Sequence, residues 1–147
     1  MIKKIMKILV IDNDMEESIN LSDYLIRQGH RCNYASTIKD GLFLIENYQY
    51  DIIFLESKGV GECLDIEGLE CICRSAKTSG SKTILLTSTS FTDEEIQILL
   101  QKGIQSVISK HVRWNNLLEI IESIDAMNDI CATNLPKNLS VENLKRY

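Results

Sequence analysis

Several short apolar runs in this sequence end in polar residues of the kinds that take part in chemistry. In chain order these residues are Asp12, Asn13 and Asp14, then Glu56, then Thr87, and finally Lys110. Carboxylates bind hard cations through oxygen, and a hydroxyl and an amine can stabilise a developing negative charge. If the fold gathers these groups, one rim of the molecule would carry acids, a hydroxyl and an amine.

The runs before these residues have the pattern of buried strands. Ile8 to Ile11 and Ile52 to Leu55 are continuous apolar stretches, which is typical of strands covered on both faces. The segments between the runs carry apolar residues at helical spacing. The predicted strands are 8–11, 32–35, 52–55, 83–87 and 104–109, and the predicted helices are 15–28, 37–48, 67–76, 92–102 and 114–127.

Residues at the ends of these segments support the helix boundaries. Asp14 is a predicted N-cap, and Gly29 is the predicted stop of the same helix. Thr92 to Glu95 opens a later helix that Gly103 closes. Residues 57–66 contain two glycines and are predicted to form a loop.

Strands and helices alternate with short connections, so right-handed crossovers and a parallel sheet are expected. The predicted fold is a doubly wound α/β domain over residues 1–128, with a five-stranded parallel sheet and helices on both faces. In such sheets ligands bind beyond the carboxyl ends of the strands. Because the polar residues named above follow strands, we expect them to line one rim of the sheet.

Composition narrows the possible partners. The chain has 147 residues, of which 44% are hydrophobic and 25% charged, and this fits one globular domain. The formal net charge of −5 disfavours nucleic acid and anionic membranes as partners. No apolar run approaches the ~20 residues of a membrane span, and the first ten residues lack a signal-peptide cleavage site. We expect a soluble, cytoplasmic protein.

The cysteines and histidines give no sign of a metal or redox centre. Five cysteines without regular spacing, in a chain long enough to bury a core, are expected to be reduced thiols. Cys71 and Cys73 have the wrong spacing for a CxxC motif. His30 and His111 are the only histidines, which is too few to complete a zinc site with these cysteines.

In five places the sequence resembles the receiver domain of two-component response regulators, over roughly residues 6 to 127. The matching segments are Ile8 to Asp14, Tyr50 to Glu56, Glu67 to Glu70, Leu85 to Ser88, and Ser109 with Lys110. The resemblance implies the flavodoxin-like strand order 2-1-3-4-5. It also implies a site at which an aspartate accepts a phosphoryl group beside Mg²⁺.

Two residues depart from the receiver pattern at that site. Asp12, Thr87 and Lys110 match the first acid, the hydroxyl and the lysine of the family, but Asn13 stands where a second acid is expected. Glu56 stands where the phosphoacceptor aspartate is expected. The Mg²⁺ site implied by the resemblance, formed by Asp12, Asn13 and Glu56, is therefore expected to be weak or absent.

The extra methylene of Glu56 also bears on phosphoryl transfer. It moves the carboxylate by about 1.5 Å, and a misplacement of ~1 Å can cost ~100-fold in an oriented reaction. We therefore expect no transfer to Glu56. The longer side chain is instead predicted to reach Lys110 and form a charge-assisted hydrogen bond, either as a mimic of part of the phosphorylated state or as a salt bridge without signalling consequence.

Other positions depart from the receiver pattern in the region that relays the state of the site. Val107 replaces an aromatic residue, and His111 replaces a proline that is cis in the family, so the Lys110-His111 peptide is predicted to be trans. The loop after Glu56 is about four residues longer than in ordinary receivers. Trp114 is predicted to pack against the sheet with Leu117 and Ile121.

These observations predict a stand-alone, atypical receiver that is not an enzyme, binds no cofactor and acts through protein contacts. Its partner could be a histidine kinase or a downstream regulator, and the protein could be a monomer or a homodimer. The alternative is an active phosphorelay receiver that uses Mg²⁺. A flavodoxin-like cofactor carrier ranks last, because Asp12 and Asp14 would repel a phosphate. Residues 129–147 form a tail that could include a short docking helix.

Overall fold

The computed structural model describes residues 4–56, 66–88, 90–110 and 114–129. These residues form five strands, namely β1 (Lys7–Ile11), β2 (Arg31–Ala35), β3 (Ile52–Glu56), β4 (Lys82–Thr87) and β5 (Ile104–Ser109). Five helices alternate with the strands, namely α1 (Met15–Arg27), α2 (Ile38–Asn47), α3 (Ile66–Ser79), α4 (Asp93–Gln101) and α5 (Trp114–Asp129).

The strands form one parallel sheet in the order β2-β1-β3-β4-β5. This confirms the predicted doubly wound fold and the flavodoxin-like strand order. Since all five strands run in the same direction, their carboxyl ends meet at one edge of the sheet. A register shift between the β4 and β5 pairs, next to Thr83, is the one irregularity in the described ladders.

Alternating residues of the strands fill two separate apolar cores, one on each face of the sheet. Ile8, Val10 and Phe54 belong to the core that α1 and α5 cover, together with Leu25 and Ile121. The neighbouring strand residues point to the opposite face, where α2, α3 and α4 cover them; these include Leu9, Ile11, Ile53, Leu55 and Leu85. Burial on both faces explains why β1 and β3 are continuous apolar runs.

Local capping fixes where the helices begin and end. The Asp14 side chain accepts a hydrogen bond from the Glu17 N–H, as an N-cap should. Thr92 and Glu95 form a complete capping box at the start of α4. Gly29 and Gly103 follow α1 and α4 with φ of 94° and 110°, a conformation that costs glycine little.

The third helix differs most from its predicted bounds. It begins at Ile66, inside the segment predicted as a loop, and it continues to Ser79 rather than ending at Ala76. The rest of the predicted loop, residues 57–65, and the predicted docking helix after residue 129 lie outside the described residues. No helix in the described part of the chain is both long and apolar enough to cross a membrane.

Candidate functional site

The predicted site residues lie together at the carboxyl edge of the sheet. Asp12 directly follows β1, Glu56 is the last residue of β3, Thr87 is the last residue of β4, and Lys110 directly follows β5. The register pairs Thr87 with Ser109, so Lys110 emerges one residue beyond the end of β4. Its backbone N–H donates to the Thr87 carbonyl at 2.8 Å, which fixes where the lysine side chain starts.

Lys110 is the centre of the site, and its ammonium contacts three carboxylates. Its Nζ lies 2.7 Å from Glu56 Oε2 and 3.1 Å from Asp12 Oδ2, and it also contacts Glu17 Oε2. The side chain of Glu56 is only 2% exposed, that of Lys110 16% and that of Glu17 52%. The ion pair between Glu56 and Lys110 that the sequence predicts is therefore present, with its carboxylate buried and its ammonium partly exposed.

The surrounding carboxylates hold Lys110 in its charged form. Burial alone lowers the pKa of the Lys110 amine, because a charged group loses solvation. The hydrogen bonds that the ammonium donates to Glu17, Glu56 and Asp12 act in the opposite direction and outweigh burial, so the pKa of Lys110 is raised. The ammonium is thus a permanent cation at the site at any physiological pH.

Glu17 is a member of the site that the sequence reasoning missed. It lies in the first turn of α1, and α1 starts immediately beyond the rim because Asp14 caps it. An acid in a first turn is usually explained by the helix dipole, so nothing singled Glu17 out. Its position in the sequence could have indicated this role, because a side chain in the first turn of the helix that follows β1 can reach back over the strand ends.

Glu17 changes the charge expected at the site. Three carboxylates now face one ammonium, a formal sum of −2, whereas Asp12, Glu56 and Lys110 alone give −1. The ligand oxygens of Asp12, Glu17 and Glu56 all lie within 4.8 Å of one another. This donor set suits a hard divalent cation, but the Lys110 ammonium already contacts all three carboxylates.

Asn13 and Asp14 are placed differently from Asp12. Asn13 is exposed in the bend after β1, and its assignment as a metal ligand stays a prediction. Asp14 serves as the helix cap, and its N–H donates to Asp12 Oδ1 at 2.9 Å. The sequence prediction that Asp14 is committed to the helix cap is confirmed.

The structure describes only some of the remaining residues that the sequence analysis singled out around the site. Thr87 is buried, with 4% exposure, and Val107 is buried in the core beneath α4. His111 and the peptide that joins it to Lys110 lie outside the described residues. The prediction for Trp114 is wrong, because its side chain is 41% exposed and its ring lies 4.7 Å from that of Tyr24 on α1, centroid to centroid.

A cavity of about 340 Å³ adjoins the site between α1 and α5. Asp12, Glu17, Glu56 and Lys110 line its polar end, and Leu21, Phe54, Leu86 and Leu117 line its apolar end. Trp114 also lines the cavity. The ion cluster is therefore reachable from this cavity, although Glu56 itself is almost completely buried.

Comparison with known proteins supports the family resemblance. No family model matches the chain. Over 106 residues the chain is 29% identical to the transcriptional regulatory protein AfsQ1 of Streptomyces coelicolor, a match that covers 72% of this chain and 45% of that protein. The chain thus spans less than half the length of this curated relative.

Solved structures share the fold over most of the chain. A CheY-like response regulator receiver domain protein from Methanospirillum hungatei is 26% identical with a TM-score of 0.66, covering 86% of this chain and 98% of that one. The receiver domain of Ssk1 from Saccharomyces cerevisiae, crystallised with the histidine phosphotransfer protein Ypd1, gives a TM-score of 0.73 at 14% identity, covering 89% and 96%. Together these similarities support a receiver-like module of the response regulator type.

Proposed function

We propose that this chain is an atypical receiver that acts through protein contacts and is not phosphorylated at the position of the receiver phosphoacceptor. The observation that carries the proposal is the 2.7 Å contact between Glu56 Oε2 and Lys110 Nζ, with Glu56 2% exposed. The Glu56 carboxylate is thus already engaged by Lys110. The protein then needs neither a cofactor nor catalytic turnover for its role.

The ion pair opposes phosphoryl transfer in two ways. A carboxylate that shares its charge with an ammonium is a weaker nucleophile, and Glu56 would have to leave Lys110 before it could attack a donor. Burial also limits in-line approach, and positioning supplies most of the catalysis in this kind of transfer. Glu56 therefore fits a structural partner of Lys110 better than a phosphoacceptor.

The contact between Glu56 and Lys110 also affects the expected affinity of the site for Mg²⁺. The residues that would hold the ion are Asp12, Glu17 and Glu56, and bound Mg²⁺ would supply charge neutralisation for a phosphoryl group. Lys110 already neutralises part of that charge from within the chain. A dication would have to displace an ammonium held by three carboxylates, so we propose that Mg²⁺ binding is weak.

The proposed partners are proteins rather than nucleic acid, given the net charge of −5. Ssk1 was crystallised bound to a histidine phosphotransfer protein, so a related kinase or phosphotransfer protein is one class of partner for this chain. A downstream regulator is the other. The face formed by α4, β5 and α5 is the proposed contact surface, where Ile98 is 51% exposed. We also propose a cytoplasmic location for the protein.

A second candidate function is an active phosphoacceptor, and Glu17 is the observation that favours it. With Glu17 the site regains the three carboxylates and one lysine, formally −2, that suit a hard dication. For this function Asp12 and Glu17 would hold the dication, and Lys110 would face the incoming phosphoryl group.

Incubation with acetyl phosphate and Mg²⁺, followed by intact-mass spectrometry, separates the two functions. We expect no phosphoryl adduct on the natural chain and a detectable adduct on Glu56→Asp, which shortens the acid. Glu56→Gln is the control for labelling at other residues. A stable adduct on the natural chain that is lost in Glu56→Gln would contradict the proposal of an unphosphorylated receiver. It would instead support an active phosphoacceptor.

Capture of partners from a native lysate tests the signalling role. The natural chain and Glu56→Gln would be compared as baits, with circular dichroism to show that both are folded. We expect Glu56→Gln to lose or change its set of partners, because its amide cannot hold Lys110 as a carboxylate does. Equal capture by both baits would make position 56 structural rather than regulatory.

A further inference from the structure

A second cavity lies at the opposite end of the sheet from Lys110, where β4 and β5 begin. Its volume is about 520 Å³, and it is formed by α3, the start of β4 and the turn between α4 and β5. Four basic residues line it, namely Arg74, Lys77, Lys82 and Lys102. Such a concentration of bases is unexpected in a chain whose formal net charge is −5.

The charge around this cavity stays positive after its neighbours are counted. Glu70 is the only acid that lines it, and Lys102 Nζ pairs with Glu70 Oε1 at 2.5 Å. The carboxyl ends of α3 and α4 each add about −0.5. Four cations, one carboxylate and two helix ends sum to a charge of roughly +2. The positive charge at the cavity is therefore greater than the two helix ends and Glu70 can neutralise.

Thr83, one of the residues that line the cavity, carries a buried hydroxyl. Thr83 is 2% exposed, and its Oγ1 has no hydrogen-bond partner among the described residues. Buried polar groups without a partner are rare in folded proteins, and each one calls for an explanation. The register shift between β4 and β5 leaves Gln105 as an extra residue beside Thr83, and such bulges re-aim side chains near binding sites.

We propose that this cavity binds a small molecule that carries one or more phosphate groups. Lysine and arginine at this density match phosphate oxygens through charge-assisted hydrogen bonds, and the Thr83 hydroxyl would donate to the same ligand. The volume lies in the range of small-molecule sites, roughly 300 to 1,000 Å³. Inorganic phosphate alone would fill little of it, which favours a pyrophosphate or a nucleotide.

Calorimetric titration of the full chain with pyrophosphate, and separately with ADP, tests this proposal. The cavity variant is Lys77→Glu with Lys82→Glu. The control is Arg27→Glu with Lys39→Glu, which makes the same change in net charge at exposed positions outside the cavity. Lys77 and Arg27 both lie in the last turn of a helix, so each variant places one new glutamate at the carboxyl end of a helix.

We expect saturable binding that the cavity variant weakens about ten-fold or more and the control variant leaves nearly unchanged. Tighter binding of ADP than of pyrophosphate would show that the nucleoside contributes, and equal binding would show recognition of phosphate alone. The absence of saturable binding of either probe, or an equal loss in both variants, would overturn the proposal.

Two further measurements keep the test decisive if the cavity variant fails to fold. Thr83→Val removes only the unpartnered hydroxyl, so we expect it to keep its stability and to bind about three- to ten-fold more weakly. Amide chemical shifts in the natural chain should move at Thr83 and Gln105 on titration. Shifts confined to other regions would contradict the assignment. Glu56→Gln should bind normally, which separates this site from the proposed receiver function.

Discussion

Lys110 Nζ lies 2.7 Å from Glu56 Oε2, and this pair joins the end of β3 to the end of β5 across β4. Glu56 is almost fully buried, and the ammonium that faces it offsets part of the cost of burying its charge. The two residues are therefore mutually dependent.

Lys110→Gln should destabilise the protein by about 3–5 kcal/mol, because it removes the ammonium that faces the buried carboxylates of Glu56 and Asp12. Adding Glu56→Gln should restore much of this loss, since the most deeply buried of the two charges is then gone as well. Urea unfolding of the two single variants and the double variant measures the coupling. A loss below about 1 kcal/mol for Lys110→Gln would show that the pair is not needed for stability.

The raised pKa of Lys110 sets the pH window in which the ion cluster stabilises the fold. Because the folded-state pKa lies above the unfolded value of about 10.4, the contribution is complete below that pH and is lost as pH rises through the folded value. The difference in unfolding free energy between the natural chain and Lys110→Gln should be flat from about pH 7 to 9 and shrink above about pH 10.4. A difference that grows with alkaline pH would contradict this assignment.

Divalent cations should compete with Lys110 for the same oxygens. Lys110→Gln is expected to bind Mn²⁺ at least about ten-fold more tightly than the natural chain, because a repelling charge within about 4 Å is removed. Glu17→Gln in that background should reverse part of the gain, because one carboxylate ligand is lost. Mn²⁺ electron paramagnetic resonance would follow both changes. If Glu17→Gln has no effect on affinity, Glu17 is only a partner of Lys110.

The arrangement of the strands and the N-cap at Asp14 could be predicted because they depend on local pattern and topology. Glu17 could not, because its role depends on how far α1 leans over the strand ends, and a first-turn acid has a sufficient local explanation. Trp114 was misplaced for a related reason. An apolar ring at a helix start can pack on the sheet or on a neighbouring helix, and here Tyr24 of α1 provides the contact.

Gly41 is a position where helix propensity and packing act in opposite directions. A Cβ there would lie 2.5 Å from Ile11 Cδ1. Gly41→Ala should gain about 1 kcal/mol of helix propensity and lose about 1–3 kcal/mol to overpacking, for a net loss of about 1 kcal/mol. Ile11→Val removes Cδ1, so the double variant should be more stable than Gly41→Ala alone. Additive losses in urea unfolding would show that the neighbours do not couple.

The thiols of Cys32, which is half-buried, and Cys73, which is buried, should be poor nucleophiles. Burial raises the pKa of both Cys32 and Cys73 to about 11, so both are protonated at neutral pH. Iodoacetamide at about pH 8 should therefore modify them slowly in the native chain and rapidly in urea. Cys71, half-buried on the same helix as Cys73, is the internal reference. Equal rates for Cys73 in the native and unfolded chains, measured by peptide mapping, would contradict its burial.

The contacts of Lys110 also have a consequence for folding during synthesis. Lys110 is separated by 98 residues from Asp12 and by 93 from Glu17. A nascent chain on the ribosome holds Asp12, Glu17 and Glu56 long before the residue that neutralises them has been synthesised. Docking β1 beside β3 at that stage would bring like charges together, so the cluster favours a single late assembly step once the fifth strand has emerged.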